Sequence, residues 1–261
     1  MHSRRSTLLV LALLACTACA VAQPPAAPAA QPGAKPAAAD LPSGEALFAK
    51  HVEALGGMEA LRSQKSAMIK GRMTLPSGSV GLITVWRKAP DRMYRIIDIP
   101  GTVTVETWCD GESAWMRNSN KGAARLTGDA LTDTKLESEF IGEADYKARY
   151  KELKTIEKTT FGDRPAYAVA ATTAAGKART LFFDAEKGFL IGVKLDIAAP
   201  RGDEHLTLTF GDYKKCGATW QPTLVVEDTG QAKTTTTFSQ IEMDVAVLPS
   251  LDPPDEVRNL K

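Results

Sequence analysis

The residues of this chain that could do chemistry are few and badly placed for it. Gly111-Glu112-Ser113-Ala114-Trp115 comes nearest to a nucleophile elbow, where a serine on a sharp strand-to-helix turn would attack an acyl carbon. Trp115 stands where that elbow needs its last glycine, and the flanks read as strand and turn, so Ser113 is an ordinary strand residue. His51 falls on an opening helix and His205 at the start of a strand, with no third group spaced to complete a triad or a metal site. A Gly-rich phosphate loop, His-Glu-x-x-His and calcium-loop spacing are missing, as is Cys-x-x-Cys from the mature part. The residues therefore assign no catalytic group, no metal and no cofactor, and the chain reads as a non-enzyme. Arg201-Gly202-Asp203 spells an adhesion tripeptide that chance explains.

Cysteine offers two further chemistries. Arg4-Arg5, the apolar run 7–15 and the small residues Ala20-Val21-Ala22 make an export signal over 1–22, and that run is too short to span a bilayer. Leu13-Leu14-Ala15-Cys16 resembles a lipobox, in which Cys16 is freed and acylated; Ala20-Val21-Ala22 equally fits release of a soluble chain starting at Gln23. Ser3-Arg4-Arg5 suggests a twin-arginine signal, but Thr7 replaces the usual aromatic and plain secretion explains it. Cys109 and Cys216 remain in the folded part, a candidate disulfide in an oxidising compartment, with two separate thiols as the alternative.

Composition bounds the partners. There are 32 Lys and Arg against 31 Asp and Glu, without long blocks of one sign, so no nucleic-acid footprint is present. Residues 23–40 are mainly Ala and Pro, a disordered spacer that cannot bury enough apolar surface to fold. Residues 41–261 have no second low-complexity break and form one domain.

Within that domain the periodicity predicts a helix from Ser43 to Leu55, stopped by Gly56-Gly57, and a short one over 58–62. Five strands follow over 67–75, 80–88, 93–99, 102–109 and 113–117, separated by Pro-, Asp- and Gly-containing turns. Residues 128–150 are spaced for one or two helices broken at Gly142, and their aromatic stripe reads as a core face. Seven more strands are expected over 151–157, 166–171, 179–184, 190–197, 204–212, 223–227 and 234–243. This is an α+β fold, mainly antiparallel β: a large curved sheet with helices on one face. Apolar residues occupy both parities, as in Leu82 and Trp86 against Ile83 and Val85. Helices packed on one face explain that pattern, as does an apolar concave face kept for a lipid.

The order of elements resembles the periplasmic lipoprotein-carrier superfamily, the LolA/LolB-like or outer-membrane lipoprotein-sorting proteins. Strings that match are Glu53-Ala54-Leu55-Gly56-Gly57 with Ala60-Leu61, the stretch 86–95 around Pro90, and the Asp110-Gly111 turn with Trp115. Phe183-Asp184 with Gly188-Phe189-Leu190, Asp212-Tyr213 with Gly217 and Pro222, and Leu251-Asp252-Pro253-Pro254 complete the set. The resemblance implies an unclosed half-barrel whose concave side is lidded by helices and holds acyl chains of lipid or lipoprotein. It also implies an arginine immediately before the proline that holds the lid; Ala89 stands there, beside Arg87 and Lys88, which puts a latch of the carrier type in question.

The reading that follows is an exported, periplasmic or outer-membrane-attached protein that binds acyl chains, in transport of lipid or lipoprotein to the outer membrane. Ile83, Val85, Ile97, Val105, Phe183, Val193 and Leu195 are the expected hydrophobic lining, with Trp86 and Trp115 near the rim. The alternative for each is plain core packing. The rival function is an envelope protein-interaction or stress-sensor module on the same fold, with a protein partner on a strand edge or on the helical insertion.

Overall fold

The structure, a computed structural model, describes residues 41–199 and 202–260. The export signal, Cys16, the spacer 23–40 and Arg201 of the Arg-Gly-Asp string lie outside the described residues. Helix α1 (Gly44–Ala54) opens the domain, its first turn capped by Ser43 Oγ, which accepts from the Ala46 N–H at 3.1 Å. Gly56 and Gly57, both at positive φ, turn the chain into α2 (Met58–Ser63).

Six strands then run back and forth: β1 (Ser66–Thr74), β2 (Val80–Lys88), β3 (Arg92–Ile99), β4 (Val103–Cys109), β5 (Ala114–Asn118) and β6 (Gly122–Arg125). The last was not expected, because four small and polar residues carry no strand periodicity; pairing with β5 alone makes it a strand. The insertion follows as α3 (Gly128–Ser138), a 3-10 turn (Gly142–Asp145) and α4 (Tyr146–Arg149). Seven strands complete the sheet: β7 (Tyr150–Phe161), β8 (Arg164–Thr173), β9 (Ala178–Asp184), β10 (Leu190–Ala199), β11 (Gly202–Cys216), β12 (Thr219–Asp228) and β13 (Lys233–Met243). A one-turn helix, α5 (Asp255–Arg258), stands near the end.

All thirteen strands form one antiparallel sheet in the order β6-β5-β4-β3-β2-β1-β13-β12-β11-β10-β9-β8-β7. β13 pairs with β1 and joins the two meanders, while β6 and β7 are the two edges and do not pair with each other, so the barrel is not closed. The sheet must curl strongly. β4 and β9 stand eight positions apart, about 38 Å in a flat sheet at ~4.8 Å per strand. Yet α3, eleven residues long and so about 16 Å, packs on β4 and β5 while its Asp129 and Asp133 pair with Lys177 at the start of β9, at 3.3 and 3.4 Å.

Register assigns each residue to the inner or outer face. Val169, Leu181, Val193 and Leu208 lie in one inner row across β8 to β11, and α1 closes over it with Leu47 and Phe48. Tyr146 of the insertion stacks on Phe48 there at 4.7 Å, and Tyr150, the first residue of β7, lies tilted against it at 5.7 Å, the core role read for the aromatic stripe. On the other wall, Val85, Met93, Cys109 and Ala114 form an inner cluster beneath Leu126 and Leu131.

The outer face has packing of its own. Trp86, Tyr94, Trp108 and Trp115 sit side by side in register across β2 to β5, with centroids 5.3 and 5.1 Å apart along the first three. Val257 of α5 packs on Trp108 and Trp115. Further round, Phe161 stacks on Phe182 at 4.5 Å and lies over Gly192, where a Cβ would come within 2.2 Å of the ring. These outer clusters are a second source of the apolar residues on both parities.

Candidate functional site

The insertion is held over the inner face of the sheet by two arginines, Arg87 and Arg149. Arg87, on the inner parity at the end of β2, donates through Nη2 to the Glu137 carbonyl at 2.9 Å and to the Glu139 carbonyl, and its guanidinium lies over the Phe140 ring. Arg149 of α4 donates to the Leu136 carbonyl at 2.5 Å and pairs with Glu139. The C-terminal carbonyls of α3 are the negative end of its dipole, so two cations there are well matched. Burial lowers the Arg87 pKa from its ordinary value, with Arg149 adding to that and Glu137 and Glu139 opposing it. A latch therefore exists, displaced two residues from the position the resemblance implies.

Below the latch, Arg95 pairs with the Glu137 carboxylate and reaches Thr107 Oγ1 at 3.5 Å. Glu227 of β12 faces the same space from the far wall. Burial chiefly, then the like charge of Glu137, raises its carboxyl above the ordinary range, while Arg95 pulls it down. Sequence reasoning missed Arg95 and Glu227, although each charge falls on an apolar parity: Arg95 between Met93 and Ile97, Glu227 two residues after Val225. A charge breaking an apolar row was the available signal.

The expected lining residues divide into three groups. Ile83, Ile97 and Val105 form one inner row in register across β2, β3 and β4, each half-buried; Ile97 and Val105 lie outside the packed clusters beneath α1 and α3. Leu195 is half-buried on the opposite wall, beside Leu206. Val85, at 9% exposure, is packed beneath α3, and Phe183 and Val193, at 0% and 3%, are packed beneath α1. Trp86 and Trp115 are not on the inner face or at its rim: strand alternation turns both to the outer face, where Trp115 is buried against α5. The candidate disulfide is not formed. Cys109 and Cys216 are free thiols on β4 and β11, six positions apart in the sheet.

Other candidates take structural roles. His51 is buried and its Nδ1 accepts the Leu190 N–H at 3.1 Å, which ties α1 to β10. His205 is exposed beside Asp196. Among the described residues no cluster of His, Cys, Asp and Glu could hold a metal, and no helix is long and apolar enough to cross a membrane. A groove of about 460 Å³ bordered by Glu157, Thr159, Phe182, Lys194, Thr207 and Thr209 opens on the outer face, away from the apolar row.

A curled, unclosed antiparallel sheet with helices held over its inner face is a fold shared with several solved proteins. A DUF1329 family protein from Desulfovibrio piger matches with a TM-score of 0.56 at 12% identity, over 79% of this chain and 95% of that one. A LolA superfamily protein from Nitrosomonas europaea matches at 0.52 and 11%, over 83% and 97%. A putative outer membrane lipoprotein-sorting protein domain from Vibrio parahaemolyticus matches at 0.50 and 12%, over 77% and 95%. The fold is thus the one that the sequence resemblance implies. No family model matches the chain, and no curated protein matches it in sequence.

Proposed function

We propose that this is an exported envelope protein that holds acyl chains of a lipid or lipoprotein between its curved sheet and the lid helix α3. The observation that carries the reading is the uneven filling of the inner face. Beneath α1 the face is closed, with Phe48, Val169, Leu181 and Phe183 at 0% exposure. Away from α1 the apolar residues Ile97, Val105 and Val225 stay half-buried on facing walls and outside every packed cluster, with Ile83, Leu195 and Leu208 half-buried at the borders of the clusters. A sheet that needed only a core would fill both ends alike. An acyl chain of about sixteen carbons laid in that space contributes on the order of 10 kcal/mol at ~0.8 kcal/mol per methylene, so binding needs no catalytic residue.

The export signal read in the sequence, together with a fold like that of an outer membrane lipoprotein-sorting domain, supports work in the envelope, and in this reading the lipobox tethers the protein through an acylated Cys16 with residues 23–40 as spacer. The role is transfer of lipid or lipoprotein toward the outer membrane. Native mass spectrometry of the protein taken from its own envelope tests the binding: mass that is lost on denaturation and identified as lipid supports it, and an apo mass under both conditions contradicts it.

A further inference from the structure

Resting on the acyl-chain reading, we propose that the bound chain carries an anionic oxygen head group, carboxylate or phosphate, and that Arg179 takes it. Arg179 has the inner parity of Leu181 and Phe183 and stands in register between Ala171 of β8 and Leu195 of β10. It is half-buried, and its Nε is buried without a hydrogen-bond partner. Among the described residues it makes no hydrogen bond or ion pair, whereas the other inner-face cations are engaged. Arg87 holds the carbonyls of α3, Arg95 holds Glu137, and Lys177 takes both Asp129 and Asp133.

A guanidinium that is partly desolvated and unpaired costs free energy that the fold does not recover by itself. Its planar fork fits two oxygens of a carboxylate or phosphate. Leu195 and Leu206 continue the row beyond it, so an acyl chain can lie along them with its head at Arg179. The preference is then for anionic single-chain amphiphiles over neutral ones of equal length.

The test compares the full mature protein with Arg179→Gln and Arg179→Lys, by displacement of a fluorescent fatty-acid probe with palmitate, monopalmitoyl phosphatidate and hexadecanol. Arg179→Gln is expected to weaken one or both acids by about tenfold while hexadecanol changes less than about twofold, the loss of a charge-assisted hydrogen bond. Arg179→Lys is expected to keep part of the preference for acid over alcohol, and it carries the test should the Gln variant not fold. Which acid suffers more separates a carboxylate from a phosphate head. An equal loss for all three ligands, or none for the acids, overturns the assignment of Arg179 and leaves the acyl-chain reading standing. Failure of the wild-type protein to take any of the three overturns both.

Discussion

At Arg87 a single buried guanidinium serves two carbonyls of the lid and the face of Phe140, so few substitutions should act on the lid as strongly. Arg87→Met is expected to lower hydrogen-exchange protection across 128–145 by roughly tenfold or more, since each charge-assisted bond is worth ~1.5–3 kcal/mol. Protection in β8 and β9 should be kept, and unchanged protection in α3 would remove Arg87 as the latch. Glu227 gives a pH-dependent prediction. Its folded pKa is raised, so the stabilisation belongs to the protonated form, complete below its unfolded value of about 4.3 and lost as pH rises through the folded value. Glu227→Gln mimics that form and should raise Tm near about pH 7.5 yet change it little near about pH 4. A lower Tm at the higher pH would contradict the assignment. Neither residue was legible as functional in the sequence. Arg87 was seen but set aside because the resemblance places its arginine before Pro90, and Glu227 makes sense only once β12 and β3 face each other.

Elements were far easier to read than the contacts between them. The turns at Pro76, Pro90, Gly101 and Gly111 cut the first meander where the strands do end, because Pro and positive-φ Gly act locally. Missing were β6 and α5, four residues each, which exist through their neighbours rather than their own periodicity. Parity went wrong for Trp86 and Trp115 because a strand pattern states which residues share a face, and not which face is inside. The inner face itself has two differently packed walls. Val193 is packed under α1, so Val193→Glu should bury an unpaired charge, cost about 3 kcal/mol or more and unfold the domain by thermal melt. Val105 is half-buried outside those clusters, and Val105→Glu should leave a cooperative melt close to the wild type. Equal melts for the two variants would show that the walls do not differ.

For the whole molecule, the curl of the sheet turns its two walls toward each other, and α3 reaches both. In the proposed reading the N-terminal segment decides where the protein works. Cys16→Ser should move the protein from the membrane fraction to the soluble fraction of a Gram-negative host, whereas a mature wild-type chain starting at Gln23 would contradict a lipid tether. The central claim is that the half-filled inner face takes an acyl chain, and equilibrium titration of a fluorescent sixteen-carbon fatty acid into wild type and Val105→Glu tests it most directly. The account predicts saturable binding of one chain to the wild type and a loss of about tenfold or more in the folded variant, the penalty of a charge beside buried methylenes. Absence of saturable binding to the wild type, or equal affinity in the variant, would contradict it.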